Sequence, residues 1–181
     1  MNPLPSAVFL DRDGTIIKDA RYISRPSQVE LIDGAAEAIS RINAALVPVI
    51  VVTNQSGIGR GLFTEEDYER VNARMHELLK ERGARIDATY YCPHKPEDQC
   101  NCRKPGTLLF ERASADLGID LSSALFIGDR QRDIDPAARF GASGVLVPTE
   151  TTLPAEIDAA EKTARVARTL STALDWFLCN N

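Results

Sequence analysis

Short apolar runs that stop abruptly at charged or hydroxyl residues recur along the chain, and each is followed by a segment with apolar positions at helical spacing. Ala7-Val8-Phe9-Leu10 ends at Asp11, and Val49-Ile50-Val51-Val52 ends at Thr53 and Asn54. Runs that are apolar at every residue suit strands buried on both faces, as in a parallel sheet. After the first run, Asp33-Gly34 precede Ala35, Ile39, Ile42 and Leu46, a spacing that predicts a helix. After the second comes the glycine-punctuated loop 53–61. Thr64-Glu65-Glu66-Asp67 then has the form of a capping box, opening a helix whose Tyr68, Val71, Met75, Leu78 and Leu79 share one face until Gly83.

The alternation continues with a strand over 86–91, a helix over 107–117, a strand over 124–127, a helix opened by Asp135 with Pro136 at its first position, and a strand over 144–147. Residues 154–178 read either as one long helix or as two elements broken near 165–169, with Leu170, Leu174, Phe177 and Leu178 favouring a helix at the end. Strand-helix repetition of this kind predicts an α/β fold, a doubly wound, mostly parallel sheet with helices on both faces. No repeat or Gly/Ser/Pro-rich linker divides the 181 residues, so one domain spanning 1–181 is expected.

Composition narrows the function classes. Hydrophobic residues make up 44% and charged residues 26%, which excludes a disordered scaffold. A net charge of −5 has the wrong sign for a chain that coats nucleic acid or an anionic membrane. The longest apolar candidate, residues 44–52, is interrupted by Pro48 and is far short of the roughly 20 residues of a membrane helix. Met1–Ser6 has neither a basic nor a long apolar region, so no secretory signal is expected and the chain points to the cytoplasm.

In open α/β sheets, functional groups gather beyond the carboxyl ends of the strands. The sequence puts Asp11 and Asp13 at the first such end, Thr53 and Asn54 at the second, Lys104 near the third, and Asp129 and Asp133 at the fourth. Clustered carboxylates hold protons unless a cation sits among them, and hard oxygen ligands suit Mg²⁺. Lys104 adds positive charge and Thr53 a hydroxyl donor, so the rim reads as a phosphoryl-transfer site. Each piece alone is weak: Asp-x-Asp-Gly also occurs in turns and calcium loops, and Thr-Asn after a strand also serves as a cap.

Cys92, His94, Cys100 and Cys102 lie within eleven residues, in a segment without large apolar side chains. In a reducing compartment three thiols and an imidazole argue for a closed structural Zn²⁺ site rather than disulfides. Free surface thiols are the plainer alternative. Cys179, His76 and Trp176 receive no functional role.

Phe9-Leu10-Asp11-Arg12-Asp13-Gly14-Thr15-Ile16 resembles motif I of the haloacid dehalogenase (HAD) superfamily of phosphohydrolases. Val51-Val52-Thr53-Asn54-Gln55-Ser56 resembles motif II, Cys102-Arg103-Lys104-Pro105 the motif III lysine, and the stretch from Ile127 to Asp133 motif IV. The match spans about residues 7 to 150. Within the superfamily, the Thr-Asn-Gln-Ser-Gly-Ile-x-Arg-Gly run and the Cys-Pro-His and Cys-x-Cys-Arg-Lys-Pro runs resemble the heptose 1,7-bisphosphate 7-phosphatases and related histidinol-phosphate phosphatases, and more closely the former.

That resemblance implies Asp11 as nucleophile, giving an aspartyl-phosphate, and Asp13 as acid and then base. It implies Mg²⁺ held by Asp11, the main-chain carbonyl of Asp13 and Asp129, with Thr53 and Lys104 steadying the phosphoryl group and Asp133 in support. Substrate contacts are implied at Asp19, Arg21, Tyr22, Asn54, Gln55, Ser56, Arg103 and Arg130. Arg103 is the favoured anchor for a second phosphate and Arg60 the weaker one. The zinc ligands would be Cys92, His94, Cys100 and Cys102. The implied reaction removes the 7-phosphate of D-glycero-D-manno-heptose 1,7-bisphosphate, in ADP- or GDP-heptose synthesis for lipopolysaccharide core or surface glycans. The expected partner is that small molecule alone, with no nucleic acid and no membrane, and a monomer is expected.

About forty residues separate Asp13 from Thr53 and about fifty separate Thr53 from Lys104, too few for a large cap domain. An open site roofed by loops, the cysteine loop among them, is therefore expected. Competing readings are a histidinol-phosphate or nucleic-acid-end phosphatase, a receiver-type signalling domain, and a zinc-dependent binding module. Asp13 argues against the receiver, because an acid/base group beside the nucleophile speeds turnover of a phosphate that a signalling domain must keep.

Overall fold

In the computed structural model, which describes residues 4–178, six strands form one sheet in the order β3-β2-β1-β4-β5-β6, every neighbouring pair parallel. They are β1 (Val8–Leu10), β2 (Val49–Asn54), β3 (Ala88–Cys92), β4 (Leu125–Gly128), β5 (Ser143–Leu146) and β6 (Arg165–Val166). Residues 1–3 and Cys179 lie outside the described residues.

Side chains alternate across a strand, so the continuous apolar runs feed two layers at once. Val8, Leu10, Val49, Val51, Leu125 and Ile127 belong to one layer, covered by α1 (Ala35–Ala44), α3 (Glu65–Glu81) and α7 (Leu170–Leu178). Phe9, Ile50, Val52 and Phe126 belong to the other, covered by α4 (Leu108–Leu117) and α5 (Gln131–Phe140). There Phe9 stacks on Phe126 at 5.0 Å between ring centroids and meets Phe110 edge-on at 5.3 Å. A single turn, α2 (Ser56–Gly59), follows β2, and α6 (Pro154–Thr163) packs Ala160 against Ile134 and Leu146. No helix among the described residues is long and apolar enough to cross a membrane.

The sequence expectations hold for the class of fold and miss several boundaries. Leu46 does not sit on the apolar face of α1: it is 84% exposed with φ +58°, and Val47 takes the buried place as the chain turns into β2. The helix expected to open at Asp135 begins at Gln131, because the Asp133 carboxylate accepts the Arg130 N–H at 3.0 Å and caps the first turn. Pro136 lies inside it, where its missing N–H forfeits one helical hydrogen bond. The tail is two helices flanking the two-residue strand β6, which is too short to leave a periodic trace.

Because every strand runs the same way, all carboxyl ends reach one edge. Asp11, Thr53-Asn54, Cys92 and Asp129 arrive there from β1, β2, β3 and β4, although β1 and β3 are more than seventy residues apart.

Candidate active site

A cleft of about 370 Å³ opens at that edge. Asp11, Arg12 and Asp13 line it from the end of β1, Thr53, Asn54, Gln55 and Ser56 from the end of β2, Arg103 and Lys104 from the segment before α4, and Asp129, Arg130 and Arg132 from the end of β4. Asp19, Arg21 and Tyr22 form its remaining wall. Arg21 and Tyr22 both have positive φ, at 47° and 53°, a conformation that non-glycine residues hold mainly where surrounding structure enforces it.

Lys104 organises the floor. Its Nζ lies 2.8 Å from Asp11 Oδ1 and 2.8 Å from Asp133 Oδ1, and it donates to the Val52 carbonyl at 2.5 Å. Lys104 is 3% exposed; burial disfavours its charge, yet Asp11 and Asp133 outweigh that and hold its pKa above the ordinary lysine value. The carboxylates fare differently. Burial, opposed by Lys104 and reinforced by Asp133 and Asp13, pushes Asp11 up to about 6. Burial, reinforced by Asp11 and Asp133, pushes Asp129 up to about 7.

Oxygens of Asp11, Asp129 and Asp133 all lie within 4.8 Å of one another. Three carboxylates face the Lys104 ammonium and the Arg130 guanidinium, whose Nε lies 3.5 Å from Asp129 Oδ2, so negative charge remains in excess and a divalent cation would offset it. The donor set is all oxygen and therefore fits Mg²⁺. Asp129 is braced from behind, its main-chain carbonyl accepting from Thr152 Oγ1 at 2.7 Å and its carboxylate from Thr149 Oγ1 at 3.3 Å. Gly14, at φ +87°, leaves room for it: a Cβ there would stand 2.5 Å from Asp129 Oδ2.

Beside the floor runs a second hydrogen-bonded group. Arg12 is 1% exposed and grips Asp13 through Nε and Nη2, each at 3.1 Å, while its guanidinium lies 5.2 Å from the Tyr68 ring centroid. Gln55 Nε2 donates to Asp13 Oδ2 and to Thr53 Oγ1, both at 2.8 Å, and Gln55 Oε1 accepts from Arg12 Nη2 at 3.2 Å. Asn54 pins the lysine strap from the other side, donating to the Lys104 carbonyl at 3.2 Å and accepting from its N–H at 3.0 Å.

Cys92, Cys100, Cys102 and His94 converge on a single point. Their sulfurs are 3.1 to 3.5 Å apart, and His94 Nδ1 is 3.5 Å from Cys92 Sγ and 3.2 Å from Cys102 Sγ. No disulfide joins them. A tetrahedral zinc with bonds of about 2.3 Å would hold sulfurs about 3.7 Å apart, so a small expansion of this set accommodates the ion. Burial and the neighbouring thiols raise the Cys92 pKa, a penalty on the thiolate that a bound cation would reverse.

The cysteine loop does not roof the cleft as expected; none of residues 92–102 lines it. It buttresses the wall instead. The Cys92 carbonyl accepts the Gln55 N–H at 2.7 Å, the Pro93 carbonyl accepts the Gly59 N–H at 2.9 Å, and the His94 carbonyl accepts from Arg103 Nη1 at 3.3 Å. Arg60, the weaker phosphate anchor, does not line the cleft and pairs with Glu97 at 3.7 Å. Arg130 does line it, but its Nη1 is bonded to Glu156 at 3.1 Å. Sequence reasoning missed Arg12 as a structural cation, Arg132 as a cleft residue, and the Thr149 and Thr152 braces. For Arg132 the only available signal was its place in the turn after Asp129.

A buried aspartate-lysine-aspartate floor at the strand ends of such a sheet fits a phosphohydrolase of the HAD type, which the sequence motifs resemble. The HAD-hydrolase-like family model matches residues 101–173. A D-glycero-beta-D-manno-heptose-1,7-bisphosphate 7-phosphatase of Photorhabdus laumondii is 37% identical over 172 residues, covering 91% of each chain. The Escherichia coli protein of the same name is 38% identical over 162 residues, 85% of each. The crystal structure of D,D-heptose 1,7-bisphosphate phosphatase from B. bronchiseptica, complexed with magnesium and phosphate, matches with a TM-score of 0.87 at 29% identity, over 97% of this chain and 99% of that one. The chain belongs to the heptose-bisphosphate phosphatase family of HAD-like hydrolases, and it is a phosphatase.

Proposed function

We propose that this chain, acting as one catalytic domain, hydrolyses the 7-phosphate of D-glycero-D-manno-heptose 1,7-bisphosphate through an aspartyl-phosphate on Asp11. The observation that carries the mechanism is the Lys104 ammonium held 2.8 Å from both Asp11 and Asp133 on the floor of the cleft. Asp11 attacks phosphorus while Asp13 passes a proton to the sugar oxygen as the P–O bond breaks. Asp13, now a carboxylate, takes a proton from the water that attacks the aspartyl-phosphate, releasing phosphate and restoring both groups. Thr53, whose oxygen accepts from Gln55, keeps its own hydroxyl proton free for a phosphoryl oxygen, and Lys104 offsets charge on the same group. Mg²⁺ bound by Asp11, Asp129 and the Asp13 carbonyl would neutralise the incoming phosphate.

The second phosphate falls to Arg103, which lines the cleft beside Lys104 and has Arg132 as a cationic neighbour, whereas Arg130 is engaged with Glu156. Cys92, His94, Cys100 and Cys102 would hold a structural zinc, which would order the loop that supports Gln55 and leads directly into Arg103-Lys104. The names of the relatives support the substrate, and the charge deficit on the floor supports the metal.

The test is a kcat/KM panel over heptose 1,7-bisphosphates, histidinol phosphate and common hexose phosphates, with Asp11→Asn as control. The heptose bisphosphate should lead the panel and Asp11→Asn should abolish turnover. Normal turnover by Asp11→Asn would overturn the mechanism, and a lead for histidinol phosphate would overturn the substrate.

A further inference from the structure

We propose that Gln55 is a positioning residue for proton transfer, holding the Asp13 carboxylate against the Thr53 hydroxyl, rather than a residue that grips substrate. The inference rests on the reading of Asp13 as the proton donor given above. Gln55 is 4% exposed, and both N–H bonds of its amide are engaged, one to Asp13 Oδ2 and one to Thr53 Oγ1. The chemistry of the partners fixes the orientation of the amide. Arg12 can only donate, so the atom facing its Nη2 must be the Gln55 oxygen, which turns the amide nitrogen toward Asp13 and Thr53.

One planar amide therefore spans two groups on different strands. Asp13 follows β1 and Thr53 lies in β2, and among the described residues only Gln55 bonds to both side chains. The amide is itself anchored: its main-chain N–H donates to the Cys92 carbonyl at 2.7 Å, and Arg12, which closes the circuit, is sandwiched between Asp13 and the Tyr68 ring. A proton donor acts only within hydrogen-bond reach of the leaving oxygen, and a misplacement of about 1 Å is enough to lose much of its contribution. Without the amide, Asp13 keeps its Arg12 fork but loses the bond that ties Oδ2 to the Thr53 side of the cleft.

The consequence is specific to the leaving group. Donation of a proton matters for a poor leaving group and little for a good one. The kcat/KM ratio of 4-nitrophenyl phosphate to phenyl phosphate reports it, because 4-nitrophenol is much the stronger acid, and the contacts of the distal nitro group cancel when the ratio of a variant is compared with that of the parent. Being a ratio within one enzyme, it does not depend on how much of a variant is folded. Because kcat/KM extends only through the first irreversible step, the later role of Asp13 as base does not enter.

The variants are Gln55→Leu, which keeps the volume and removes the three amide bonds, Arg12→Lys, which keeps the charge and removes the fork, and Asp13→Asn. The ratio should rise about tenfold or more in Gln55→Leu and Arg12→Lys, and at least as far in Asp13→Asn, since general acids typically contribute about 10²- to 10⁴-fold. The KM for 4-nitrophenyl phosphate should stay within about twofold of the parent. An unchanged ratio in Gln55→Leu, with a raised ratio in Asp13→Asn, overturns the proposal and leaves Asp13 as donor. A raised KM at constant ratio makes Gln55 a substrate contact and also overturns it. An unchanged ratio in Asp13→Asn itself removes Asp13 as donor, and the proposal falls with it by a signature that the other outcomes lack.

Discussion

Without magnesium the protein should lose stability as pH rises, and magnesium should restore it. The folded chain holds Asp11 near 6 and Asp129 near 7, both raised mainly by burial, whereas unfolded aspartates titrate near 3.9. Between about pH 4 and 7 the folded state thus binds more protons than the unfolded state, and stability falls as pH climbs through that window. Above it both groups are ionised in the fold. At about 1.4 kcal/mol per pH unit, that costs about 3 kcal/mol for Asp11 and about 4 kcal/mol for Asp129. Asp11 contributes to the Asp129 shift, so the two groups titrate as a coupled pair, with a joint penalty of roughly several kcal/mol.

A divalent cation among the three carboxylates removes that penalty, and binding to the folded state alone adds stability by mass action. For a chain of this size 1 kcal/mol moves the melting temperature by about 2 to 4 °C, so saturating Mg²⁺ should raise Tm by about 10 °C or more at about pH 8. At about pH 5 protons compete for the same oxygens and the shift should be only a few degrees. The assay is a thermal melt at each pH with and without added Mg²⁺, zinc held constant so that the cysteine cluster stays loaded. Burial lowers the His76 pKa, a contribution of opposite slope, but it cancels because the readout is the difference made by magnesium. A magnesium shift equal at both pH values, or larger at the lower one, would refute the reasoning.

Gly14→Ala should cut kcat and raise the Mg²⁺ concentration needed for half activity, because the new Cβ would fall 2.5 Å from Asp129 Oδ2 at a backbone φ of +87°. The left-handed backbone alone costs an alanine about 1 to 2 kcal/mol, to be checked by Mg²⁺ titration and a melt. Arg103→Ala should lower kcat/KM for a sugar bisphosphate by about 10- to 100-fold and for the matching monophosphate much less; equal losses would remove the anchor. Elemental analysis should find one zinc per chain. Cys100→Ser/Cys102→Ser should lose it and drop activity by about 100-fold with Mg²⁺ in excess, while far-UV circular dichroism shows the sheet retained. Unchanged kinetics in that variant would separate the metal from the catalytic lysine.

The sequence by itself determined the class of fold and most of the active-site rim. Runs such as Val49-Ile50-Val51-Val52 are buried on both faces, and a chain of such strands joined by helices has to be parallel, which sends Asp11, Thr53, Lys104 and Asp129 to one edge. The crowding of Cys92, His94, Cys100 and Cys102 was equally legible, because four candidate ligands within eleven residues are local in the chain. What only the tertiary structure decided depends on partners far apart in the chain. Arg60 and Arg132 are both exposed arginines near glycine- and polar-rich turns, yet Glu97 draws one away while the other faces the cleft. Arg130 looked available until Glu156, twenty-six residues on, was found to hold it. The resemblance implied Gln55 as a substrate contact, whereas its amide bonds to Asp13, forty-two residues away in sequence, and to Thr53. Periodicity reports which face of an element is buried, because burial follows from the local repeat. It carries no record of which polar group meets which, because hydrogen bonds and ion pairs are set by the three-dimensional approach of separate strands.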